Sequence, residues 1–62
     1  MTTAATLSRA ETIGILAAHG YRVSLVFGNV YRVAGHGYKN EALLARLRQM
    51  ALNLENGRPI NA

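Results

Sequence analysis

The stretch GYRVSLVFGNVYRVAG, residues 20–35, decides the fold. Inside its flanking glycines, Tyr21, Val23, Leu25 and Phe27 alternate with Arg22, Ser24 and Val26, the period of a half-buried strand. A second apolar run over residues 30–34 follows so closely that only a hairpin can join the two. Two turns compete for the connection. A two-residue Gly28-Asn29 loop pairs Phe27 with Val30 and puts Arg32 on the face of Val23 and Leu25. A three-residue Phe27-Gly28-Asn29 loop, with Asn29 in the left-handed region, pairs Val26 with Val30 and sets Tyr31 and Val33 beside Leu25 and Val23. The second is preferred, because a one-residue slip carries the apolar set of a strand to the wrong face and no acid nearby could partner a buried Arg32. It leaves Arg22, Ser24, Val26, Val30, Arg32 and Ala34 on the outer face.

Upstream, Ser8 and Glu11 have capping-box spacing, so a helix is expected over residues 9 to about 19, with Gly20 as the left-handed residue that stops it. Ala10, Ile13, Leu16 and Ala17 share one stripe. Residues 1–6 are small and polar and read as a disordered N-terminus. Downstream, Gly35-His36-Gly37 breaks the strand, and Asn40 can cap a second helix with Glu41 in its first turn. Leu43, Leu44, Leu47, Met50, Ala51 and Leu54 form its apolar side, opposite Arg46, Gln49, Asn53 and Asn56. Asn56-Gly57 and then Pro59 stop it, leaving residues 58–62 as a flexible tail. The fold expected is α+β: a single αββα domain over residues 7–57, a hairpin covered on one face by two helices.

Sixty-two residues allow one domain, and a chain this short buries only about 60% of the surface its unfolded form exposes. With no cysteine, neither a disulfide nor a thiolate metal site supplements the core, and partner chains are the remaining supplement. A lone hairpin is marginal in water and leaves its edges unpaired, and the second helix has more apolar width than one helix and a narrow hairpin cover. A homodimer is therefore expected, completing a four-stranded sheet across a twofold axis with Leu47, Met50 and Leu54 at the interface. The apolar stretch at residues 13–18 is too short for a signal or membrane segment, and a cytoplasmic protein without membrane contact is expected.

Nucleophilic chemistry needs a nucleophile, a base and a group that orients the base. Ser8, Ser24, Tyr21, Tyr31, Tyr38, His19 and His36 are the candidates, and none has that support. Ser8 is used by the cap, and Glu11, Glu41 and Glu55 have no spacing that brings two together on one helix face. His19 in a last helical turn suits the negative end of the dipole, and His36, in a mobile connection, has no nearby carboxylate or cysteine to share a metal. No catalysis, cofactor or metal is expected.

Seven Lys and Arg against three Glu give a formal charge of +4, a balance that favours acidic partners while staying inside the ordinary range of roughly 2 to 8. The segment Gly35-His36-Gly37-Tyr38-Lys39-Asn40 combines flexible backbone, one Lys and an expected helix start, the ingredients of an anion cradle. Over residues 30–54 the chain resembles the double-stranded RNA-binding domain, in which a glycine-containing exit from the sheet precedes a Lys-led, Ala-rich final helix that touches phosphates. Lys39, Glu41-Ala42 and Ala51-Leu52 carry the resemblance. It departs in having two expected strands and one lysine where that family has three strands and a lysine cluster. The leading expectation is a non-enzymatic protein-interaction or regulatory module, of the size common among phage and mobile-element accessory factors. Its partner surface is expected at Arg22, Val26, Val30, Arg32, His36, Lys39 and Arg46. The alternative is a basic nucleic-acid-binding module that contacts phosphates through Arg22, Arg32, Lys39 and Arg46.

Overall fold

A computed structural model describes residues 7–62, so the expectation for residues 1–6 lies outside the described residues. The elements are α1 (Arg9–Ala18), β1 (Arg22–Phe27), β2 (Val30–Gly35), β3 (Tyr38–Leu43) and α2 (Leu44–Glu55). The α+β class holds, with two helices and a three-stranded antiparallel sheet ordered β1-β2-β3. One strand more than the expected hairpin is present.

The capping box starts α1. The Glu11 amide donates to Ser8 Oγ at 3.0 Å, and the Ser8 amide donates to Glu11 Oε1 at 2.9 Å. Gly20, at φ +89°, takes the left-handed position after His19 caps the helix. The buried stripe is turned from the expected one: Thr12 and Leu16 face the core, while Ala10 and Ala17 are exposed. Thr12 can be buried because its Oγ1 donates to the Ser8 carbonyl at 2.8 Å, which satisfies the hydroxyl within the helix.

The first hairpin uses part of each competing turn. Val23 pairs with Val33 and Leu25 with Tyr31, the preferred register; Tyr31 and Val33 are 6% and 0% exposed, whereas Arg32 faces solvent. Phe27 nevertheless pairs with Val30 across a two-residue turn, and Val26 is the extra residue of a bulge between Leu25 and Phe27. A bulge adds one residue to one strand, which reconciles the short turn with the apolar register. Gly28, at φ +51°, adopts the left-handed conformation that was assigned to Asn29.

The third strand replaces the expected beginning of the second helix. Gly35 pairs with Tyr38, and the two residues between them, His36 and Gly37, have φ of +51° and +79°. Positive φ at both central residues is what a type I′ hairpin turn requires, and His is among the few side chains that accept it. Asn40 Oδ1 accepts from the adjacent Glu41 amide at 2.9 Å inside β3, so it caps nothing. The helix begins at Leu44, after Leu43 as an N-cap with no side-chain cap bond.

The core joins Leu7, Leu16, Tyr31, Val33, Leu47, Met50, Ala51 and Ile60. Leu47 and Met50, expected at a dimer contact, are 0% exposed within the single chain, and Leu54 is half-buried. Sheet, α1 and C-terminal residues together cover the α2 face that a narrow hairpin could not. Residues 58–62 are correspondingly no loose tail. Ile60 is buried, and Asn53, expected on the polar side of α2, is 2% exposed beneath it. Asn53 Nδ2 donates to the carbonyls of Ile60 at 3.4 Å and Ala62 at 3.3 Å, while its Oδ1 accepts from Gln49 Nε2 at 3.1 Å. Arg48 Nε donates to the Leu7 carbonyl at 2.9 Å and fastens α2 to the residue before the α1 cap. Among the described residues, no helix is long and apolar enough to cross a membrane.

Candidate functional site

Alternation along the strands gives the sheet an inner face, where Val23, Tyr31 and Val33 meet the helices, and an outer face free of them. Directly paired residues share a face, so the outer face reads as three cross-strand rows. The first is Arg22, Ala34 and Lys39; the second Ser24, Arg32 and Glu41; the third Phe27, Val30 and Leu43.

The first row carries two cations on the outer strands, two strand spacings or about 10 Å apart. Neither has an ion-pair partner among the described residues. In the second row Arg32 Nε and Nη2 donate to Glu41 Oε2 at 3.1 and 2.7 Å. Both side chains remain nearly half exposed, so the pair contributes only about 0–1 kcal/mol. It does cancel one of the charges counted as available. The third row is apolar and exposed: Phe27 is 68% and Leu43 57% accessible, with Leu25 at 56% and Val26 at 37% around the same end. Contiguous apolar surface of this kind marks an interaction site more often than a passive surface.

The structure thus brings Arg22, Val30, Arg32 and Lys39 onto one face, with Val26 at its margin in the bulge. His36 lies at the opposite end of the sheet, where its side chain is tied to the α1–β1 link. Its Nε2 donates to the His19 carbonyl at 2.9 Å, and its ring meets Tyr21 edge-on with centroids 5.0 Å apart. Arg46 stands on α2, which packs on the inner side, and does not join the others. Leu25, Phe27 and Leu43 were not expected at a site. Leu43 looked like helix core, and Phe27 was absorbed into a longer turn. The signal that could have placed Leu43 was His36-Gly37 as a tight turn, followed by the alternation of Lys39, Glu41 and Leu43 on one face.

Beside the outer face, a groove of about 540 Å³ follows the N-terminal half of β1. It is lined by Ile13 and Ala17 of α1, by residues 21–24, and by Arg32 and Ala34 of β2. Two arginines and no acid line it.

Other polar groups are occupied by the fold. His19 Nδ1 donates to the Ile15 carbonyl at 2.9 Å, and Ser8 is held in the cap. Hydrogen bonds from the Ser8 amide and then its hydroxyl hold the Glu11 carboxyl below the usual carboxylate range. Among the described residues, no three His or acidic side chains cluster as metal ligands, and no buried side-chain polar atom lacks a partner. The third strand removes one departure from the double-stranded RNA-binding domain. The other stands, since Lys39 is the one lysine of the chain. No protein-family model matches this chain, and no curated protein and no solved structure matches it.

Proposed function

We propose that this chain is a small, non-enzymatic protein-interaction module of the cytoplasm, homodimeric through the apolar end of its sheet and engaging a protein partner through the remaining sheet surface. The exposure of Phe27 and Leu43, in one cross-strand row with Val30, carries the reading. Interface energy concentrates in a few aromatic and aliphatic anchors that lose their water on binding, and these side chains do nothing for the core that would explain their presence. The dimer no longer draws on Leu47 and Met50, which the chain's own core consumes.

The test has two parts. Sedimentation of the intact chain at micromolar concentration is expected to give a dimer, and the Phe27→Ser/Leu43→Ser double variant a monomer. Wild-type monomer removes the dimer from the reading. Affinity enrichment from a native lysate, compared with chain altered at Lys39 and Glu41 on the outer sheet face, is expected to yield a protein held by the wild type alone.

Nucleic-acid binding is the second reading, favoured by Arg22 and Lys39, unpaired on one face. Each phosphate neutralised on a duplex contributes about −0.9 to the slope of log affinity against log salt, so a few contacts give weak binding at physiological ionic strength. Tight duplex binding at about 150 mM salt, abolished by Arg22→Ala or Lys39→Ala, promotes this reading over the first.

A further inference from the structure

We infer that the groove between α1 and the free edge of β1 captures an extended, acidic segment of a partner protein as an additional strand of the sheet. The inference rests on the protein-interaction reading and specifies the chemistry of the partner.

The backbone supplies the first argument. In the order β1-β2-β3, β1 has a neighbour on one side only among the described residues. Among the described residues, no backbone hydrogen bond outside the sheet ladder involves β1. Its outward amides and carbonyls form half a ladder, which an extended chain completes. Proteins usually blunt such an edge with charge, proline or a bulge. The opposite edge strand, β3, carries Lys39 and the ion-paired Glu41, whereas β1 carries one charge, Arg22, at its start and no proline, and its bulge lies at Val26, beyond the groove.

Space and charge select the occupant. A volume of about 540 Å³ falls within the roughly 300–1,000 Å³ of binding clefts, and Ile13, Ala17 and Val23 offer apolar contact to alternate side chains. The charged lining residues are Arg22 and Arg32; Arg32 is neutralised by Glu41, while Arg22 has no acid among the described residues. A carboxylate on the incoming strand supplies the missing counter-charge. A second copy of this chain does not. Its three acids are Glu11, inside the capping box, Glu41, bound to Arg32, and Glu55, at the end of a helix, and β1 itself has none.

A random-peptide display library selected on the intact chain tests this. The enriched pool is expected to alternate Asp or Glu with apolar residues, and a synthetic peptide from it to slow amide exchange in residues 22–25. Arg22→Glu, which reverses the charge, and Ala17→Arg, which fills the groove, are each expected to weaken that peptide about tenfold or more. Both sites are exposed, and far-UV circular dichroism checks that the variants stay folded. Arg58→Glu, a charge reversal at an exposed residue outside the groove, is expected to leave the affinity unchanged. A pool without acids, an affinity kept in Ala17→Arg, an affinity lost in Arg58→Glu as much as in Arg22→Glu, or no enrichment overturns the groove assignment. The lysate enrichment judges the interaction reading separately.

Discussion

The two turns lie at opposite ends of β2, and the chain treats them in opposite ways. At the β2–β3 turn, His36 donates to the carbonyl that ends α1. Tyr21 meets both His36 and Tyr38 edge-on, the latter at 6.3 Å. Gly35 lies so near the α1–β1 link that an added Cβ would sit 2.6 Å from the Gly20 carbonyl oxygen. At the β1–β2 turn, Gly28 has nothing within 4 Å of an added Cβ, and Leu25, Phe27 and Leu43 stand more than half exposed. The first end spends its side chains on joining sheet to helix. The second leaves apolar side chains in water with no structural return, and it is the end to which the proposed dimer contact is assigned. A basic residue count, spread over both faces, could not have made that distinction.

Gly35→Ala attacks the tied end most severely. The obstructing atoms, the Gly20 oxygen at 2.6 Å and Tyr21 Cα at 3.0 Å, belong to backbone, so the turn and the α1–β1 link must move apart. A loss of about 2–4 kcal/mol is expected in urea denaturation. Gly28→Ala should cost less, about 1–2 kcal/mol, because only its positive φ opposes the change. The reverse order breaks the comparison. Between the two ends, Val33→Ala should cost about 1–3 kcal/mol through a cavity beneath a 0% exposed side chain. Arg32→Ala, losing a half-exposed ion pair, should stay within about 1 kcal/mol.

These contrasts also mark what the sequence disclosed. The capping box, the stop at Gly20 and the pairing of Val23 with Val33 were legible because each follows from a local pattern or from the strict two-residue period of a strand. The third strand was not. Asn40-Glu41 has the chemistry of a helix start, and Tyr38 to Leu43 includes Asn, Glu and Ala, which favour no strand. Pairing with β2 overrides that preference, and the His36-Gly37 turn that directs it differs from the usual Asn-Gly only in its first residue. The error propagated into the site. With Leu43 assigned to a helix, the apolar row with Phe27 and Val30 could not be assembled, and an α2 that seemed too wide for its cover suggested a dimer through Leu47 and Met50. The outer placement of Arg22 and Arg32 survived because it depended on β1 and β2 alone.

His36 sharpens the comparison at smaller scale. His36→Ala removes its bond to the His19 carbonyl while keeping the left-handed φ of +51°, and should cost about 1 kcal/mol. His36→Gly removes the same bond but relieves the backbone, so it should be less harmful than Ala. If both variants are neutral, the tie contributes nothing and the two ends differ less than their geometry implies. At the open end, Phe27→Ser and Leu43→Ser should change stability by no more than about 0.5 kcal/mol when measured at dilutions where the chain is monomeric, because neither side chain is part of the core. Substantial unfolding in either would show that the exposed row holds the sheet together.

The smallest effect concerns the other terminus of α1, away from the His36 tie. Glu11 is fully exposed, and its carboxyl is held below the ordinary value of 4.5 by bonds from the Ser8 amide and then the Ser8 hydroxyl. A carboxyl with a depressed pKa in the folded chain stabilises fully above its unfolded pKa, and that contribution fades as pH falls through the folded value. Glu11→Gln keeps an oxygen able to accept from the Ser8 amide but has no charge to lose. The Tm difference between wild type and Glu11→Gln should therefore favour wild type near neutrality and close as pH falls below 4.5. Glu41 and Glu55 are common to both proteins, so the subtraction removes their contribution. A difference that stays constant from about pH 7 to about pH 3 would mean that shape alone gives the cap its strength. In that case α1 is held chiefly at the end where His36 meets it.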